Sequence, residues 1–214
     1  LSQADLSFAL ALSCALRGVE GDVLLPHLGT NSRNYFKRAL RFFPAHNDAP
    51  RHLTRQQARQ YDELGYLSPL DVFGADAATA NRAYFDGLMA RAAAAGWDAY
   101  SINGWQSHCA GMWDLIVEPR ILDYVEDLLG PDLVCWGAHF FNKQPGDVRQ
   151  VSFHQDASYW PLTPSKTVTV WLAIDDSDAG NGPMMVVPRS HRHGQIAFER
   201  SGAQEHNVLN QTVL

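Results

Sequence analysis

Cysteine is scarce in this sequence: three residues in 214, Cys14, Cys109 and Cys135, with no CxxC or metal-type spacing among them. An odd number argues against a disulfide framework and fits a reducing cytoplasm. Long apolar runs are missing too. Residues 6–16, LSFALALSCAL, are apolar but fall short of the roughly 20 residues that cross a bilayer. They also lack the basic lead-in of a signal peptide, so they read as a helix or strand that packs on something. No Lys/Arg block stands against the net charge of −6, which argues against nucleic acid or an anionic membrane as partner. Repeats of solenoid length and low-complexity segments are also absent. What remains is ordinary for a globular protein, with 46% hydrophobic and 19% charged residues and enough length for one sizeable core. The first residue is Leu rather than Met, and the final LNQTVL reads as mid-element sequence, so both ends are expected to be cut.

Residues 53–131 read as helical. Residues 43–52, FPAHNDAPRH, hold two prolines with Asn and Asp and predict a loop. In the following LTRQQARQYDELGYL, Thr54 is placed to cap a helix. Gln57 stands three residues on as in a capping box, Leu53 can pack back from before the cap, and Gly65 ends the helix. Residues 76–95 are Ala-rich, with Tyr84, Leu88 and Ala92 on one stripe and Gly96 as the stop. EPRILDYVEDLLGP predicts a third helix that buries Ile121, Leu122, Val125, Leu128 and Leu129.

After Gly130-Pro131 the period changes. DLVCWGAHFFNK and TVTVWLAID read as strands, KQPGD and GNGP as turns, and MMVVP as a short apolar strand. Helices followed by short strands predict an α+β fold, mainly β: an antiparallel sandwich or barrel with helices outside.

The chemistry concentrates in SFHQDASYWP, residues 152–161. On a strand or its end, His154 and Asp156 point to the same face, so an imidazole and a carboxylate converge on one point. One further histidine would complete the two-histidine, one-carboxylate face that binds non-haem Fe(II) and leaves positions open. The neighbours Phe153, Tyr159, Trp160 and Pro161 supply apolar walls, where an ionisable pair needs a cation or hydrogen bonds to compensate. A solvated surface pair and a buried His–Asp hydrogen bond that only holds the core stay open as alternatives.

The ordered strings HFFNKQPG, FHQDASYWPLTPS, TVWLAIDD, NGPMMVVPRSH and HGQ, with LTRQQARQYDELGYL ahead of them, resemble the phytanoyl-CoA dioxygenase family over roughly residues 53–200. The resemblance implies a double-stranded β-helix of jelly-roll, cupin-like form. It also implies a dioxygenase that uses Fe(II), 2-oxoglutarate and O₂ to oxidise a small-molecule substrate. It makes His154 and Asp156 the iron ligands and the catalytic pair. Halogenating relatives replace the carboxylate with a small residue, so Asp156 favours hydroxylation or a related oxidation. Trp160, Trp171, His139 and Lys143 fall where relatives place cosubstrate-binding groups. Gln155 is expected to point away from the iron, Asn181-Gly182 to form a tight turn, and Ser190-His191 to orient the turn after it. His193 and His206 read as surface groups or as groups behind the ligands.

The family pattern also needs a second iron histidine well downstream, and an arginine eleven residues after it to grip the distal carboxylate of 2-oxoglutarate. Neither follows Asp156, so the domain is expected to be incomplete at the C-terminus. The spacing does occur at the other end, in GDVLLPHLGTNSRNYFKRALRF, where His27 precedes Arg38 by eleven. Residues 1–50 therefore read as an N-terminal extension of uncertain role, a permuted closing strand or the tail of a preceding tandem domain, and residues 51–214 as the oxygenase-like domain. The rival reading is a non-catalytic cupin-like relative that binds a metal or small ligand without a complete triad. Substrate and oligomeric state are not legible.

Overall fold

The computed structural model describes residues 7–16, 40–45, 47, 49–97, 101–160, 162, 164–200, 208–209 and 212–213, with backbone alone for 7–16 and 101–103. His27, Arg38 and His206 lie outside the described residues. In chain order the elements are strand β1 (Ser7–Leu16), helices α1 (Arg55–Leu64) and α2 (Ala75–Ala94), strand β2 (Ser101–Asn103), helices α3 (Ala110–Ile116) and α4 (Pro119–Leu129), and strands β3 (Leu133–Lys143), β4 (Thr167–Ala173), β5 (Phe198–Glu199) and β6 (Thr212–Val213). The fold is mixed helix and strand. Its main sheet has four strands in the order β2-β3-β1-β4, and β5 and β6 form a separate two-stranded ribbon. Closure of the strands into a jelly roll is not seen among the described residues.

The predicted helix ends are met locally. Thr54 Oγ1 accepts from the Gln57 N–H and the Gln57 side chain accepts from the Thr54 N–H, so the capping box is closed in both directions. Gly65 ends α1 at φ +85°, a left-handed value that favours glycine. A Cβ on Gly65 would also fall 2.4 Å from the His191 ring, so the helix end and the Ser190–His193 turn meet where only glycine fits. His191 Nε2 donates to the Asp62 carbonyl from 3.1 Å, which ties that turn to α1. α3, which the sequence reading missed, is short and buries Met112, Leu115 and Ile116.

Two apolar clusters sit between sheet and helices. Phe85, Leu88 and Ala92 of α2 pack with Met112, Leu115, Ile116 and Ile121 against Ala138 and Phe140 of β3. Leu53, Val125, Leu128, Leu129 and Val168 form the second cluster. Leu122, expected in the α4 stripe, is only half-buried. Asp127 takes its turn on the buried side, because its carboxylate receives the backbone N–H groups of Arg51, His52 and Leu53 at 2.7–3.0 Å.

β1 is the unexpected element. The apolar run near the N-terminus is a strand, and it lies between β3 and β4, antiparallel to both. It is one of the sheet's two interior strands although more than a hundred residues separate it from either partner. Two expectations fail. Residues 184–187 of MMVVP are not a strand: no described strand runs beside them to complete a ladder, and Met184, Met185, Val186 and Val187 stand exposed. His154 and Asp156 do not share a strand pleat either. His154 follows a bend, and Asp156 opens the single 3₁₀ turn Asp156–Ser158.

Candidate metal centre

Alternation along the strands gives the sheet two chemically different faces. Ala138, Phe140 and Asn142 of β3 are buried on the helix side. His139, Phe141 and Lys143 therefore share the opposite face, where His139 stacks on Phe141 with ring centroids 4.0 Å apart. On β4, Val168 is buried towards the helices, while the Thr169 hydroxyl donates to Asp156 Oδ2 from 2.6 Å. Trp171, two residues on from Thr169, shares that face. The register places His139 and Trp171 opposite the same residue of β1, Ala11.

The His–Asp pair is set over this face by a connection without regular strand. The His154 Nδ1–H donates to the Ser152 carbonyl across 2.8 Å. A carbonyl only accepts, so this bond places the hydrogen on Nδ1 and turns Nε2 outward. Nε2 then lies 3.0 Å from Asp156 Oδ1. The 3₁₀ turn brings the carboxylate back onto the ring and reaches the same convergence by a different route from the predicted pleat. Gln155 points away, as expected. Its Nε2 donates to the Gly194 carbonyl, and its Oε1 accepts from the Ile196 N–H, pinning the segment after the Ser190–His193 turn.

The electrostatics follow from the contacts. Burial alone would lower the His154 pKa, but the bonds to Asp156 and Ser152 and the Asp156 charge outweigh it and raise the value. Burial would raise Asp156, and the bonds from His154 and Thr169 with the nearby imidazoles lower it instead. His139 behaves oppositely. Desolvation drives it down to about 4 against the pull of Asp156, so its ring is neutral at neutral pH. Tyr159 faces Asp156, and its buried hydroxyl has no hydrogen-bond partner among the described residues.

This donor set suits a divalent cation. Adjacent corners of a six-coordinate ion with bonds of about 2.1 Å stand about 3 Å apart. That matches Nε2 and Oδ1, which stand 3.0 Å apart. The outer contacts also match the way metal ligands are held, with a backbone carbonyl on the imidazole and a hydroxyl on the carboxylate. Among the described residues no group of three His, Cys, Asp or Glu could complete a metal site. His139 feels the Asp156 charge without joining such a group.

The other predicted residues are distributed unevenly. Trp160 is half-buried beyond the 3₁₀ turn. The Lys143 stem lies beside Gly182, where an added Cβ would meet Cδ at 3.2 Å, and Gly182 has the positive φ of the predicted Asn181-Gly182 turn. His193 is exposed. Thr169 and Ser152 were missed as partners of the pair. In TVTVW the alternation that puts Trp171 on the site face puts Thr169 there as well, and that signal was available. A cavity of about 440 Å³ opens elsewhere, between α2 and α3 around Arg91, Trp97 and His108, and includes none of these groups.

A mixed helix-and-strand fold with a His-x-Asp donor pair over one face of its sheet is the general class. Comparison gives the family: the phytanoyl-CoA dioxygenase (PhyH) family profile matches residues 61–211, well over half of the chain, and the chain belongs to this family. The peroxisomal phytanoyl-CoA dioxygenase of Bos taurus is 35% identical over 114 residues, 42% of this chain and 34% of that protein. The ectoine dioxygenase of Sphingopyxis alaskensis is 27% identical over 161 residues, 68% of this chain and 52% of that protein. The phytanoyl-CoA dioxygenase of Arabidopsis thaliana is 37% identical over 54 residues, 25% of this chain and 19% of that protein. The chain thus spans about half or less of these curated relatives. No solved structure matches it. Among the described residues no helix is long and apolar enough to cross a membrane.

Proposed function

We propose that this chain is an Fe(II)- and 2-oxoglutarate-dependent dioxygenase that oxidises a small organic molecule, built on a double-stranded β-helix formed within residues 51–214 with a strand contributed from residues 1–50. The observation that carries the reading is the 3.0 Å separation of His154 Nε2 and Asp156 Oδ1, with each ligand's remaining atom fixed by Ser152 or Thr169. Those two atoms would hold the iron. When bound, Fe(II) with 2-oxoglutarate and O₂ supplies the oxidising power, with succinate and CO₂ as by-products.

The chain's own groups do the rest. The Ser152 carbonyl keeps the hydrogen on Nδ1, so Nε2 is the donor atom. The Thr169 hydroxyl turns Oδ2 aside and presents Oδ1. Asp156, retained as a carboxylate, occupies the position a halogenating site would empty, which favours hydroxylation or a related oxidation. Lys143 and neutral His139 line the cosubstrate side with Trp160 and Trp171, whose aromatic surfaces keep water away. The substrate is read as small and partly apolar. A reducing compartment, the cytoplasm, suits the cysteine usage, while the bovine relative is peroxisomal by name. The family order places the third ligand and the carboxylate-binding arginine downstream of Asp156; His27 and Arg38, which carry the same eleven-residue spacing, are the alternative pair.

One observation favours the second reading, a metal- or ligand-binding relative without turnover: among the described residues the pair has no third ligand. Succinate formation from 2-oxoglutarate with Fe(II) and O₂ separates the two. The proposal expects it in the chain and expects its loss in His154→Ala and Asp156→Ala, with Fe(II) affinity falling at least 100-fold. Iron binding without succinate would support the binding reading. Equal succinate formation in chain and variants would refute the ligand assignment.

A further inference from the structure

Two of the three cysteines stand opposite one another in the main sheet. Cys14 of β1 and Cys135 of β3 are register partners, at the point where the β1–β3 pairing shifts. Up to Ser13 the partner is Gly137; at Cys14 it becomes Cys135, so β3 carries Trp136 as an extra residue. Such a bulge loosens the ladder and bends the strand. Opposed residues of an antiparallel pair hold their Cα atoms about 4.5 or 5.5 Å apart. A disulfide spans Cα separations of about 4.4–6.8 Å. The register thus makes the two residues opposed partners, the arrangement whose regular Cα spacing falls in that range. Cys135 lies on the helix side of the sheet, where it packs against the first apolar cluster. Cys135 itself is half-buried, with its Sγ 3.5 Å from the Gly137 carbonyl.

We infer that Cys14 and Cys135 form a redox modification site: a cross-strand disulfide that closes when a small-molecule disulfide such as oxidised glutathione is available. One protein thiolate attacks the small disulfide, forming a mixed disulfide and releasing one thiolate. The opposite cysteine, deprotonated, then attacks the protein sulfur of that mixed disulfide and expels the second. The two protein thiols lose two protons and two electrons, and the small disulfide is reduced to two thiols. The bond ties β1 to β3 beside the row that aligns His139 with Trp171. It therefore fastens the N-terminal strand covalently into the sheet under oxidation and releases it under reduction. The inference does not depend on the oxygenase reading.

The test uses the full chain, reduced, then incubated with oxidised glutathione, alkylated and digested without reductant. The expected product joins the Cys14 and Cys135 peptides and is two hydrogens lighter than their sum, with Cys109 recovered alkylated and reactive thiols falling from three to one. The Cys109→Ser chain should close the same bond. The thermal midpoint should rise on oxidation by several degrees, return with dithiothreitol and stay fixed in Cys14→Ser. Recovery of Cys14 and Cys135 as separate alkylated or glutathionylated peptides, or a link through Cys109 instead, would overturn the inference.

Discussion

Asp127 and Asp156 are both held by hydrogen bonds, yet one is closed and the other open. Asp127 is 0% exposed, and its two oxygens take three backbone N–H groups and the Asn47 amide. Every lone pair is directed at a fixed donor of the 47–53 loop, and none is left for a ligand. Asp156 has a side-chain hydroxyl on one oxygen and an imidazole on the other, and keeps about 40% of its side chain exposed. Its partners are themselves ionisable or rotatable. A carboxylate that grips backbone is a fastener. One that faces a histidine nitrogen and leaves a side open has the donors to take a cation. The lesson is to read an acid by what satisfies it.

The largest effect should come from the closed site. Asp127→Ala removes the acceptor of three backbone donors and should cost about 3–5 kcal/mol of stability in denaturant unfolding. Burial alone would raise the Asp127 pKa, but the N–H groups of Leu53, Arg51 and His52 and the neighbouring His52 lower it overall. A depressed folded pKa gives stability that is present above the unfolded value of about 3.9 and fades as pH falls through the folded value. The gap between the chain and Asp127→Ala should therefore narrow below about pH 4, and a gap that widened there would break the comparison. At the open site the loss should be of binding. Thr169→Val removes the hydroxyl that orients Asp156, and Fe(II) affinity should fall about 10–100-fold by titration while the unfolding midpoint barely moves. The smallest effect is a control remote from His154 and Asp156. Thr54→Ala opens the α1 capping box and should cost about 1 kcal/mol with Fe(II) affinity unchanged. A change in affinity there would mean that the two regions are coupled.

Local signals were legible in the sequence and remote pairings were not. Thr54, Gln57 and Gly65 mark α1 because a capping box and a left-handed glycine act within a few residues. The Ile121, Val125 and Leu128 stripe of α4 is legible for the same reason. The position of β1 is not, since nothing in SFALALSCAL names strands more than a hundred residues away as its neighbours. MMVVP misled because β-branched composition describes a side chain's preference, while a strand also needs a partner backbone. At His154 and Asp156 the expected convergence is met, and the expected geometry is not. The i, i+2 spacing suggested a pleat, and a bend followed by a 3₁₀ turn achieves the convergence.

The interior place of β1 has a consequence for assembly. During synthesis Ser7–Leu16 leaves the ribosome long before Leu133–Lys143 and Thr167–Ala173, the two strands it must join. Until both arrive, an apolar ten-residue strand has no native neighbour on either edge. The main sheet therefore cannot be finished in order of translation. It must be completed retroactively, around its oldest strand, by a slow long-range closure during which that strand is the segment most in need of protection.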